Sequence, residues 1–194
     1  ASEKNHILAQ YFAGSCYCFG KGTIMNEKLA FEYCEKSANE NFSQGQIEIG
    51  HCYYNGILGI KKDINKAFYW YEKAVNNGNI IAMYNLGKYY LNGIGVKKDY
   101  NKAFELYKQS VEGGYSYSSG MLGYCYDNGI GTKIDKQEAF ELFQISANLG
   151  NKVGQYNLGI TYEYGKGITR DIGKAIYWYE KSTKQGYQNA QNQL

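Results

Sequence analysis

The chain has 194 residues, 44% of them hydrophobic, with a net charge of +3 and no proline. So mild a charge, with no basic block beyond the loop pairs Lys61-Lys62 and Lys97-Lys98, argues against a nucleic-acid partner. No run of about 18 apolar residues is present to cross a membrane.

The predicted elements come as pairs of helices. In the first unit, about residues 5–41, a helix carrying Ala13-Gly14 ends at Gly20 and Gly22. A second helix starts after Asn26, carries Ala30 and closes at Asn41. The unit over 42–78 repeats this with Ile49-Gly50, Gly56 and Gly59, Asp63, Ala67 and Gly78. Then come 79–114 (Leu86-Gly87, Gly93 and Gly95, Asp99, Ala103, Gly114) and 115–150 (Leu122-Gly123, Gly129 and Gly131, Asp135, Ala139, Gly150). The fifth unit, 151–186, carries Leu158-Gly159, Gly165 and Gly167, Asp171, Ala175 and Gly186, and residues 187–194 begin a sixth first helix. The helix glycines Gly14, Gly50, Gly87, Gly123 and Gly159 lie 36, 37, 36 and 36 residues apart. A fixed period of this length marks a stacked repeat array, which offers a long surface rather than one active site.

Local chemistry explains each slot. In the third unit, Ala82, Leu86 and Tyr89-Tyr90 form the stripe of an amphipathic helix. Gly93-Ile94-Gly95 stops it, because glycine accepts the left-handed backbone of a helix C-terminus. Asp99 can then receive the free amides of the next helix, and Asp135 with Glu138 fits a capping box. A helix glycine costs about 1 kcal/mol relative to alanine. Five copies therefore predict a close crossing at that point, with the second-helix alanine as partner. The tyrosines Tyr17, Tyr53, Tyr90, Tyr126 and Tyr162 are read as core fillers whose hydroxyls reach a carbonyl of the following loop.

Of the five cysteines, Cys16, Cys52 and Cys125 share one slot and point in parallel, whereas Cys18 and Cys34 face each other only by chance. Reduced, buried thiols are expected, in a cytoplasmic setting; the lone sequon Asn41-Phe42-Ser43 is weak evidence for secretion. The Ala1-Ser2 start suggests a chain cut or processed from a longer one. No catalytic, metal or cofactor motif is found. His51 beside Cys52 points elsewhere on its helix, and no strand or G-K-[ST] accompanies the glycine turns.

Tyr84-Asn85-Leu86-Gly87, Asn92-Gly93-Ile94-Gly95-Val96, Asp99, Lys102-Ala103-Phe104 and Lys174-Ala175-Ile176-Tyr177-Trp178-Tyr179-Glu180-Lys181-Ser182 resemble the Sel-1-like repeat family, relatives of the tetratricopeptide repeats with longer loops. The resemblance covers nearly the whole chain. It departs in the first unit, where Ala13, Asn26 and Asn41 replace the usual leucine, aspartate and glycine. It implies an all-α fold: a right-handed α/α superhelical solenoid of five helix–turn–helix repeats plus a partial sixth helix, with first helices lining a concave groove. It also implies a non-catalytic scaffold or adaptor that binds a partner protein, peptide or helix, is not inserted in a membrane, and is monomeric. Related geometry places Tyr11, Ser15, His51, Tyr54, Asn55, Tyr84, Lys88, Asn92, Tyr124, Asp127, Asn128, Tyr156, Ile160, Glu163 and Tyr164 toward the partner. These slots vary between units, and tyrosine and asparagine suit peptide contact. Two alternatives are a regulatory region of a larger signalling enzyme such as a protein kinase, and a β-lactamase-like hydrolase of the cysteine-rich branch. That branch carries one cysteine pair per repeat, which this sequence lacks.

Overall fold

The computed structural model describes residues 2–194, with side chains from His6 onward. Ala1, part of the expectation about how the chain starts, lies outside the described residues. The chain forms two compact units, Ala1–Lys98 and Asp99–Leu194. The first holds α1 (Ser2–Phe19), α2 (Glu27–Asn39), α3 (Ser43–Asn55), α4 (Ile64–Asn76) and α5 (Ile80–Asn92). The second holds α6 (Tyr100–Glu112), a 3-10 turn at Ser116–Ser118, α7 (Ser119–Asn128), α8 (Lys136–Asn148), α9 (Lys152–Tyr164), α10 (Ile172–Lys184) and the short α11 (Gln188–Gln191). The fold is all-α among the described residues, as expected. Within each unit, consecutive helices pack against each other in chain order.

The expected caps form. Asn26, Asp63, Asp99, Asp135 and Asp171 each accept a backbone N–H three residues on, at 3.0 Å. Asn79 and Asn151 cap α5 and α9 in the same manner, each accepting two amides. Gly56, Gly93, Gly129 and Gly165 close first helices with left-handed backbone. Gly131 shows why no other residue serves in the loop. Its φ is 67°, and a β-carbon there would lie 2.2 Å from the Tyr100 carbonyl oxygen.

The partner of the helix glycines differs from the sequence expectation. The alanines Ala30, Ala67, Ala103, Ala139 and Ala175 are indeed buried. The space facing the glycine, however, belongs mainly to the residue four further along. A β-carbon on Gly50 would meet the Tyr71 ring at 3.0 Å, one on Gly123 the Phe143 ring at 3.0 Å, and one on Gly159 the Tyr179 ring at 2.5 Å. On Gly14 it would meet Cys34 Sγ at 2.8 Å. The alanine contributes its carbonyl, 3.2 Å away at Gly14 and Gly123. One turn beyond the alanine, an aromatic ring therefore fills the space over Gly50, Gly123 and Gly159, and a cysteine fills it over Gly14.

A second and closer crossing lies between successive repeats. Ser37/Gly45, Ala74/Ala82, Ser110/Ser118, Ser146/Gly154 and Ser182/Ala190 are pairs of small residues, each eight positions apart and all buried. At Gly45 a β-carbon would stand 2.3 Å from Ser37 Oγ and 2.9 Å from the Ala38 nitrogen. Ser110 and Ser118 share a 2.7 Å hydrogen bond across this joint. The same slot one repeat earlier, Ala9, is exposed.

Aromatic edges seal the joints. Phe31 meets Tyr53, Phe68 meets Tyr90, Phe104 meets Tyr126 and Phe140 meets Tyr162 edge-on, at centroid distances of 5.9, 6.0, 5.3 and 5.7 Å. Such pairs add about 1 kcal/mol beyond burial. For Tyr17, Tyr53, Tyr126 and Tyr162 the contact to the following loop is made by the backbone carbonyl rather than by the expected hydroxyl. The amides of Asn26, Asp63, Asp135 and Asp171 donate to the carbonyls of Tyr17, Tyr53, Tyr126 and Tyr162 at 2.8–3.0 Å. A buried amide relay also recurs. Gln46 donates to the Ala38 carbonyl and accepts from Asn77, and Gln155 donates to the Ala147 carbonyl and accepts from Gln185.

Candidate functional surface

Most of the first-helix slots predicted to face a partner line three cavities, each within one unit, whereas Tyr84, Asn92, Glu163 and Tyr164 lie outside them. In the first unit, Tyr11 and Ser15 line a cavity of about 100 Å³ together with Cys18, Cys34 and Cys52. The sequence had left a meeting of Cys18 and Cys34 to chance, and α1, α2 and α3 bring all three thiols to one space. All five cysteines are free. Burial pushes the Cys34 thiol up to about 11 and those of Cys52 and Cys125 up to about 12, so they stay protonated at neutral pH. Cys16 is only half-buried, unlike Cys52 and Cys125 in the same slot.

His51, Tyr54, Asn55 and Lys88 share a second cavity of about 290 Å³ between α3 and α5. Tyr71, Asn85, Tyr89 and Ile94 complete it and were not foreseen as part of the surface. Tyr84 lies beside it, with the Lys88 ammonium 5.6 Å from its ring centroid.

In the second unit, Tyr124, Asp127, Asn128, Tyr156 and Ile160 line a cavity of about 270 Å³ between α7 and α9. Tyr164 is exposed at the end of α9.

Several of these side chains are engaged within the fold. Asn55, Asn92 and Asn128 donate to the carbonyls of His51, Lys88 and Tyr124 at 3.1, 2.9 and 2.9 Å, so one of the two amide hydrogens in each caps its own helix end. The Glu163 carboxylate accepts a hydrogen bond from the Tyr179 hydroxyl. Asp127 pairs with Lys136 at 2.7 Å and Lys166 at 3.1 Å. Burial by itself would raise the Asp127 carboxyl, but the hydrogen bonds and charges of the two lysines overcome it and hold the group below its ordinary 3.8. A carboxyl lowered by folding stabilises the chain above its unfolded value and loses that contribution as pH falls through the folded one. Asp127→Asn is therefore expected to be less stable than the native chain at pH 7. In thermal melts across pH, the difference is expected to close below about pH 3.8; a constant gap would show that the ion pair is not its source.

Five matches to the Sel1 repeat model run over residues 7–42, 43–79, 80–115, 117–151 and 152–187. The crystal structure of a Sel1 repeat protein from Oxalobacter formigenes superposes with a TM-score of 0.87 at 32% identity, covering 95% of this chain and 73% of that one. Chitin synthase regulatory factor 3 of Schizosaccharomyces pombe is 29% identical over 93 residues, 46% of this chain and 10% of that protein. The Arabidopsis thaliana ERAD-associated E3 ubiquitin-protein ligase component HRD3A is 35% identical over 60 residues, 31% of this chain and 9% of that protein. The chain thus matches about a tenth of the length of either curated relative. Repeat period, capped helix pairs and superposition agree: the chain belongs to the Sel1 repeat family.

Proposed function

We propose that this chain is a non-catalytic protein-interaction scaffold that holds a segment of a partner protein along its first-helix faces. One observation carries the reading. The buried joint slots hold small residues in every repeat, whereas the outward slots of the first helices differ between repeats and converge on cavities at the repeat junctions. Constancy serves cohesion, and variation is where specificity resides. Among the relatives, one is a regulatory factor and another a component of a ligase, and an accessory role of that kind fits such a surface. Free rather than paired cysteines suit a reducing, cytoplasmic setting.

A Tyr84/Lys88/Tyr124 triple alanine variant tests the proposal. These side chains are half-buried or exposed, so helix content is expected to stay native by circular dichroism. Proteins retained by the immobilised native chain are expected to be lost. Equal retention by the variant would move the binding surface elsewhere.

A further inference from the structure

We propose that the cavity between α3 and α5 is a carboxylate-binding subsite, occupied by an acidic side chain or the chain terminus of an extended partner peptide. The inference rests on the scaffold reading and adds the chemistry of one contact.

Two cavities in register show what is missing. His51, Tyr54, Asn55, Asn85 and Lys88 in the first unit occupy the slots of Tyr124, Asp127, Asn128, Asn157 and Ile160 in the second. In the second unit the fold supplies its own carboxylate, Asp127, and neutralises it with Lys136 and Lys166. In the first unit Tyr54 stands in the aspartate slot and Ile94 in that of Lys166, while Lys88 brings a cation without a counterion. No carboxylate lines this cavity, and Lys88 forms no ion pair among the described residues.

A second observation points the same way. Tyr89, 2% exposed, lines the cavity, and its buried hydroxyl has no hydrogen-bond partner. The equivalent Thr161 in the second unit is satisfied, donating to the Asn157 carbonyl at 2.8 Å. A buried donor without an acceptor is costly. Burial and the neighbouring Tyr71 and Tyr54 hold this phenol in its protonated, donating form. An ammonium, a free phenol and the Asn85 amide around about 290 Å³ complement an anionic acceptor.

Nitrogen-15 NMR of the full chain tests this with defined probes. One peptide, acetyl-Ala-Glu-Glu-Ala-amide, offers side-chain carboxylates only. Acetyl-Ala-Ala-Ala-Ala with a free C-terminus offers a terminal carboxylate only. Its amidated form is the blank, and inorganic phosphate is the fourth arm. At least one carboxylate peptide is expected to shift the resonances of Asn85, Lys88 and Tyr89, and the blank is not. Lys88→Met is expected to weaken binding about tenfold and Tyr89→Phe about threefold. Tyr89→Phe should leave the melting temperature unchanged or raised, since it deletes a hydroxyl without a partner. Equal shifts from the blank, or unchanged affinity in Lys88→Met, would overturn the carboxylate assignment while leaving peptide binding intact. Shifts from phosphate alone would also overturn it. No shift at any first-helix residue with any peptide would overturn both it and the scaffold reading.

Discussion

Gly159→Leu is expected to lower stability by about 3 kcal/mol, on the order of 10 °C in melting temperature for a chain of this length. Even a single β-carbon at this position would stand 2.5 and 2.6 Å from two carbons of the Tyr179 ring. Tyr179 is 3% exposed and donates its hydroxyl to Glu163, so its ring cannot swing aside without breaking that bond. The cause can be separated from a backbone clash by a double-mutant cycle. Tyr179→Ala alone opens a cavity costing about 3–5 kcal/mol. Gly159→Leu in the same chain partly fills that space, so the double variant is expected to lose clearly less than the sum. Additive losses would show that the obstacle is the crossing helix itself and would restore the alanine as the glycine's partner.

Gly154→Ala and Gly173→Ala are expected to act with opposite sign. A β-carbon on Gly154 would lie 2.3 Å from Ser146 Oγ, 2.6 Å from its Cβ and 3.0 Å from the Ala147 nitrogen. Rotating the hydroxyl away leaves the other two contacts, so α8 and α9 must separate. The cost is about 2 kcal/mol or more. Gly173 sits exposed near the start of α10, and a β-carbon there meets only Asp171 Oδ1, at 3.5 Å. Alanine at that site gains up to about 1 kcal/mol of helix propensity. Paired thermal melts check the contrast. A Gly154→Ala variant as stable as native would remove the small-residue joint from the account of how repeats stack.

The candidate surface was legible in part. Counting from the helix glycine placed His51, Tyr54, Asn55 and Lys88 at one cavity and Tyr124, Asp127, Asn128, Tyr156 and Ile160 at another. It did not show that Asp127 and Glu163 are engaged by Lys136, Lys166 and Tyr179, because those partners lie on other helices or in a loop. Tyr89 was read as part of the apolar stripe and Asn85 was given no role, since neither slot carries a sign in the sequence of an empty neighbouring space.

The sequence by itself determined the thirty-six-residue cadence, the caps at Asp63, Asp99, Asp135 and Asp171, the left-handed turns at Gly93 and Gly129, and with them the helix pairs. Each of these depends on groups three or four residues apart, where backbone geometry alone fixes the outcome. Only the tertiary structure decided which atom fills the space beside each helix glycine, that Ser146 meets Gly154, that three thiols converge, and that Tyr89 is left without an acceptor. Those outcomes depend on side-chain rotamers and on the distance between helices set by several contacts at once, and no single stretch of chain encodes either.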